Sequence, residues 1–91
     1  MDITITVPGM LRASCGGATS LQIAAPNVRG ALESMEACHP ELYRSVCNET
    51  GAVRQHMNLF VNTDNVRDLE GLDTPLASGD VLTILPAVSG G

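Results

Sequence analysis

Apolar and polar residues alternate from the start of the chain, with Ile3, Ile5 and Val7 separated by Thr4 and Thr6. Successive strand side chains point to opposite faces, so this two-residue period, rich in β-branched residues, predicts a strand from Met1 to Val7. Pro8-Gly9 punctuates it. The polar, small-residue stretch from Arg12 to Ser20 contains Cys15-Gly16-Gly17 and is expected to be a hairpin loop. A short returning strand around Leu21 and Ile23 is closed by Pro26. The period then changes. Val28, Ala31, Leu32 and Met35 recur at helical spacing, predicting a helix over Val28 to Cys38 with Asn27 as its N-cap. Arg29, Glu33, Ser34 and Glu36 fall on its wet side, and Gly30 weakens its first turn. His39-Pro40 ends the element, because a residue before proline is pushed out of helical space. Glu41 to Val46 is expected to form another helical turn, followed by a loop through Asn48 to Gly51.

Alternation returns in Gln55 to Asn62, the second clear strand. Asn62-Thr63-Asp64-Asn65 is strong turn chemistry, and Val66-Arg67 is expected to start a short strand. Leu69 to Ala77, with Gly71 and Pro75, reads as irregular or a single helical turn. Ser78-Gly79-Asp80 is a further turn. Val81 to Leu85 is nearly continuously apolar, as a central strand buried on both sides would be, and Pro86 cuts its ladder. Two strands, a helix, then two or three more strands is an α+β order. The helix can cover one face of a mixed sheet of four to five strands. The arrangement that fits is a β-grasp, with the first and last strands parallel and adjacent in the centre. The domain is expected to span 1–86, with 87–91 as a flexible tail ending in Gly-Gly.

Composition narrows the functional classes. A chain of 91 residues supports one domain and leaves little room for a large enclosed pocket. Five arginines, no lysine and ten carboxylates give a formal charge of -5. Nucleic-acid affinity rests on cations neutralising phosphates and on aromatic stacking, and Tyr43 and Phe60 are the aromatic residues present. Nucleic acid and an anionic membrane surface are therefore disfavoured, while an acidic surface suits a basic protein partner. No apolar run approaches the ~20 residues that span a bilayer. No signal peptide is evident. Cys15, Cys38 and Cys47 lack CxxC spacing, and three reduced thiols in a cytoplasmic protein are expected.

The chain's end carries the most specific signal. From Pro86 to Gly91 the chain can extend about 20 Å, enough to enter another protein's active site. Glycine permits any backbone path and close approach of surrounding walls. An unhindered terminal carboxylate there is a nucleophile for the α-phosphate of ATP, and the resulting acyl-adenylate is open to sulfide, a persulfide or an amine. The plain alternative is a frayed terminus that happens to end in glycine.

At this point the sequence resembles the ubiquitin-like sulfur carriers of the MoaD/ThiS family, in particular its MoaD-like and CysO-like members. The resemblance is carried by Asp80-Val81-Leu82-Thr83-Ile84-Leu85-Pro86-Ala87-Val88-Ser89-Gly90-Gly91: an acidic turn, an apolar strand, a proline and a terminal Gly-Gly. Asn58 to Asn62 with Asp64, Val66 and Arg67 looks like the family's middle strand and turn. Ile3-Thr4-Ile5, Leu11-Arg12 and the helix from Val28 fall in family order. The segment between Cys38 and Gln55 is longer than in the compact ThiS type, and the loop around Cys15 also departs from the pattern. The resemblance implies that Gly91 is adenylated with ATP by a ubiquitin-activating-like enzyme and converted to a thiocarboxylate. That group would donate sulfur to a biosynthetic enzyme making molybdopterin, a thiazole for thiamin, or an amino acid such as cysteine. It also implies that the chain is not itself an enzyme, and binds no metal or cofactor. A protein modifier joined through Gly91 to amines, and a β-grasp interaction module with an inert tail, are the alternatives.

Recognition then needs a surface. Val88, Ser89 and Gly90 are expected to thread into the partner. If Met57, Leu59 and Val61 face the core, Phe60 faces outward. If Leu82 and Ile84 face inward, Leu85 lies outward beside it. Phe60, Leu85, Pro86 and His56 are the expected partner-binding residues, and a register slip of one residue would instead bury Phe60 and Leu85. Cys38-His39 is read as a helix-end pair and not a thiol with its base, since sequence neighbours on a helix do not face each other. His56 with Cys47 lacks metal-ligand spacing. Asp64, Asp68, Glu70 and Asp73 are read as a solvated acidic face, not a Ca²⁺ loop. A monomer is expected when the chain is free.

Overall fold

The computed structural model describes residues 2–86. Strand β1 (Asp2–Thr6) buries Ile3 and Ile5 and pairs antiparallel with β2 (Ser20–Ala24), with Ile3 opposite Ile23. Helix α1 (Val28–Cys38) follows, then α2 (Pro40–Val46), β3 (Met57–Val61), β4 (Asp64–Asn65) and β5 (Val81–Pro86). The sheet order is β2-β1-β5-β3-β4. β1 and β5 are parallel and central, and β3 runs antiparallel to β5. This is the β-grasp arrangement that the order of elements predicts.

The α1 boundaries follow from chemistry at both ends. The Asn27 side chain accepts a hydrogen bond from the Gly30 amide at 2.8 Å. A Cβ at position 30 would lie 3.1 Å from Pro26 Cδ and 3.2 Å from Asn27 Oδ1, so the glycine that lowers helix propensity leaves room for the cap. Val28, Ala31, Leu32 and Met35 are buried, as the helical spacing requires. At the far end Pro40 occupies the first turn of α2, where its missing N–H costs nothing. Leu42 and Val46 carry α2 into the same core, which also holds Leu59, Leu82 and Ile84.

Two local expectations need correction. The segment predicted as a hairpin loop contains a 3-10 helix, Gly9–Cys15, ended by Gly16 at φ 71. Its Cys15 is buried, with Sγ 3.5 Å from the Arg12 carbonyl. The short strand expected at Val66-Arg67 begins two residues earlier, as β4. Asn62 takes a left-handed φ of 57, which asparagine tolerates, so the chain reverses at once and Asn65 pairs with Phe60. Val66–Asp68 is instead a 3-10 turn that buries Val66. The irregular segment beyond it includes a 3-10 turn, Gly71–Asp73, and straps the start of α1: Val28 N–H donates to the Thr74 carbonyl and Leu76 N–H to that of Pro26, each at 3.0 Å.

The start of β5 is fixed by a side-chain clamp. Asn62 Oδ1 accepts from the Val81 amide at 3.1 Å, and Asn62 Nδ2 donates to Asp80 Oδ1 at 3.3 Å. Asp80 Oδ2 also accepts from the Ala77 amide at 2.8 Å. Across the other neighbour, Thr4 N–H donates to the Asp80 carbonyl at 3.0 Å. Replacing Asp80 with Ala removes two of these bonds, one of them charge-assisted to an amide, and is expected to lower stability by about 1–3 kcal/mol. Urea unfolding measures it, with exposed Asp64→Ala as a control expected within about 0.5 kcal/mol of the parent.

Candidate functional site

The register places the predicted surface residues. Met57, Leu59 and Val61 are buried, as are Leu82 and Ile84. Their alternates on β3 and β5 therefore emerge on the other side of the sheet. There Phe60 sits opposite Thr83, and Asn58 opposite Leu85, so Phe60 and Leu85 are diagonal neighbours. Leu85 is 45% exposed and Phe60 is half-buried. Thr4, Thr6 and Gln22 continue this face across β1 and β2, with Gln22 donating to the Thr4 hydroxyl at 2.9 Å. The result is an apolar spot at the β3/β5 end of a polar sheet face.

Pro86 and His56 do not join that spot. Adjacent strand residues point to opposite faces, so Pro86, paired with Met57, lies on the side of Leu82 and Ile84. Pro86, Met57 and exposed His56 line an open cleft of about 370 Å³ with Met10 and Leu11 of the 3-10 helix and Arg44 and Arg54. The four named surface residues thus divide between two faces of one sheet end. Val88, Ser89, Gly90 and Gly91 lie outside the described residues.

Arg67 is a residue whose placement sequence reasoning missed. Its Nη1 donates to Asn58 Oδ1 at 3.1 Å and its Nη2 to the Met57 carbonyl at 3.1 Å. The Asn65 side chain accepts from the Arg67 amide at 2.9 Å and sets up this return. A fixed guanidinium therefore borders the Phe60–Leu85 spot, next to Asn58. The signal in the sequence was an arginine following a tight Asn-rich turn, which can bring it back beside the strand it left.

The other candidates are placed as side chains of the scaffold. Cys38 is exposed at the end of α1, while Cys15 and Cys47 are buried, and all three are free thiols. Burial pushes the Cys47 thiol up to about 11, against partial relief from the Arg54 charge, so it is a poor nucleophile at neutral pH. Burial also raises Tyr43, with the neighbouring Cys47 and Glu36 adding to the effect. Both residues line a second open cleft, of about 540 Å³, between Glu36 and Arg54. Asp73 of the acidic stretch pairs with Arg29 at 3.1 Å, both well exposed. Among the described residues no three His, Cys, Asp or Glu side chains are grouped to hold a metal ion, and no described helix is long and apolar enough to cross a membrane.

Comparison with known proteins adds to this geometry. The ThiS family matches residues 5–91. The sulfur carrier protein CysO of Mycobacterium tuberculosis is 32% identical over 93 residues, covering all of both chains. Among solved structures, the BexX/CysO complex of Amycolatopsis orientalis contains a chain that superposes with a TM-score of 0.89 at 32% identity, over 98% of this chain and 99% of that one. The small archaeal modifier protein 1 of Methanosarcina acetivorans superposes with a TM-score of 0.86 at 28% identity, over 99% and 96%.

The Cys47 environment gives a pH dependence with a definite sign. Its thiol holds its proton more tightly folded than unfolded, so the contribution to stability is complete below about pH 9 and is lost as pH rises from about 9 towards about 11. Unfolding stability is expected to fall across that range by up to about 2 kcal/mol from this group. In Cys47→Ala the decline should be shallower, the remainder following Tyr43. Iodoacetamide at pH 8 should alkylate Cys38 well before Cys47, as peptide mapping would report.

Proposed function

We propose, from the premise that this chain belongs to the ThiS family, that it is a sulfur carrier protein whose working group is the Gly91 carboxylate. The observation that carries the reading is the end-to-end similarity to sulfur carrier proteins, in which the match runs through Gly91 itself. A carboxylate oxygen of Gly91 attacks the α-phosphorus of ATP in a partner of the ubiquitin-activating type, and pyrophosphate leaves. Sulfide then adds to the acyl carbon of the adenylate and AMP departs, giving a thiocarboxylate. An acceptor enzyme takes that sulfur into a small molecule of cysteine-type or cofactor biosynthesis, molybdopterin and the thiamin thiazole being the cofactor cases.

In this reading the chain is a co-substrate and the catalytic groups stand in the partners, which also bind the ATP. The protein's own work is presentation. Val88, Ser89 and Gly90 thread the carboxylate to the reacting centre, and small side chains allow a narrow passage. Phe60 and Leu85 dock the domain through the apolar spot, bordered by Arg67, while Pro86 and His56 meet the partner from the other side of the strand end. An apolar centre with a charged rim is the usual anatomy of a specific contact. Partner enzymes are consistent with the complex of BexX with CysO, a relative.

The test is the intact mass of the purified protein after incubation with ATP, an adenylating enzyme and sulfide. The expected result is a gain equal to exchange of one oxygen for one sulfur, mapped to Gly91. An amine-linked adduct in its place would indicate a modifier. Appending one residue after Gly91 should abolish the gain and leave the circular dichroism spectrum unchanged. Phe60→Asp should weaken the complex with the adenylating enzyme about tenfold or more by calorimetry, a loss of about 1.4 kcal/mol. Unchanged affinity would remove Phe60 from the contact.

A further inference from the structure

The cleft beside Pro86 is lined by basic and apolar side chains. The chain carries ten carboxylates and a net charge of -5, yet Arg44, Arg54 and His56 line this cleft with no Asp or Glu among its lining residues, the two arginines standing between it and the neighbouring cleft that holds Glu36 and Glu49. Among the described residues the ion pair formed is Arg29–Asp73, so neither cleft arginine is neutralised by a carboxylate within 4 Å. Arg54 is held in place: its Nε donates to the Arg44 carbonyl at 2.9 Å, and its amide to the Val46 carbonyl at 2.9 Å. The floor is apolar, made by Met57 and Pro86, and Met10 stands over it 72% exposed. A methionine so exposed beside two unpaired guanidinium groups is an adaptable apolar contact within a cationic rim.

We infer that this cleft docks an acidic segment of a protein partner, which seats one apolar side chain against Met10, Met57 and Pro86 and sets its carboxylates on Arg44, Arg54 and His56. Charge complementarity selects the occupant, since Arg44 and Arg54 border the cleft without a salt-bridge partner and no carboxylate lines it. Position supports it, and here the inference rests on the carrier reading: a partner that receives the residues after Pro86 must pass the wall that Pro86 forms. A volume of about 370 Å³, open to solvent, suits one or two side chains better than an enclosed cofactor. The contact is separate from the Phe60–Leu85 spot, on the other side of β5, so a partner using both would grip the strand end from two sides.

The experiment is a titration of the ¹⁵N-labelled full chain, followed by amide shifts, with three blocked eight-residue peptides: alternating Glu and Leu, alternating Lys and Leu, and alternating Glu and Ser. The Glu-Leu peptide is expected to shift the amides of Met10, Arg44, Ser45, Arg54 and His56. Arg44→Glu and His56→Glu should each weaken it about tenfold. Met10→Ser, which leaves the charges in place, should weaken it severalfold and bring it close to the Glu-Ser peptide. These side chains are exposed, and the dispersion of the free spectra reports whether each variant is folded. Equal binding of the Lys-Leu peptide, shifts centred on Phe60 and Leu85, or no shifts at millimolar peptide would each overturn the inference. Shifts of the amides of 87–91 in Arg44→Glu without peptide would mean that the chain's own end occupies the cleft, which also overturns it. The mass assay fails or succeeds independently. A mass gain without peptide binding removes the cleft and leaves the carrier, and the reverse removes the sulfur chemistry and leaves the cleft.

Discussion

The clamp between Asn62 and the start of β5 is the constraint on which the rest of the molecule depends. A sheet tolerates no half-step: moving β5 by one residue against β1 and β3 would bring Val81, Thr83 and Leu85 into the core and expel Leu82 and Ile84. Asn62 answers both the Val81 amide and the Asp80 carboxylate, while the Asp80 carbonyl answers Thr4 on the opposite neighbour. One turn residue and one acidic residue thus position the central strand from both sides. The outward position of Leu85, its approach to Phe60 and the point at which the chain leaves the sheet are consequences of that placement.

With the register set, the end of β5 serves two faces. Phe60 and Leu85 emerge on the polar side of the sheet, bordered by the Arg67 guanidinium that Asn58 and the Met57 carbonyl hold. Pro86 turns the other way, towards Met10, Arg44 and Arg54. The long connection between α1 and β3 supplies Arg44 and Arg54, and so builds one wall of the cleft. The sheet and α1 provide the frame, and α2 with its neighbours provides the cleft wall.

The fold was legible wherever side-chain period and local chemistry agreed. Asn27 with the four buried positions of α1, the alternation of β1 and β3, and the apolar run of β5 each pointed the same way at both levels. The 3-10 helix at Gly9–Cys15 was not legible, because seven residues of mixed character have no period to detect, and its glycine and serine, with Gly16-Gly17 just beyond, mimic loop composition. The early start of β4 depended on the left-handed φ of Asn62, a backbone choice that composition permits without requiring. For the surface, alternation correctly separated Phe60 and Leu85 from the core. The same rule, carried one residue further, would have separated Pro86 from Leu85. Arg67 escaped because its role is made by a tertiary return to Asn58, nine positions earlier.

The central pairing also bears on mechanics. β1 and β5 run parallel, so the start of β1 and the end of β5 lie at opposite ends of the sheet, and β5 is paired with β1 over Val81–Thr83 and with β3 over Leu82–Pro86. A pull on the chain beyond Pro86 is borne along the strand axis, and the inter-strand bonds are loaded together in shear, not opened one after another as at a peeled edge. A domain built this way resists unravelling from the end of β5 more than it would if that strand lay at an edge of the sheet.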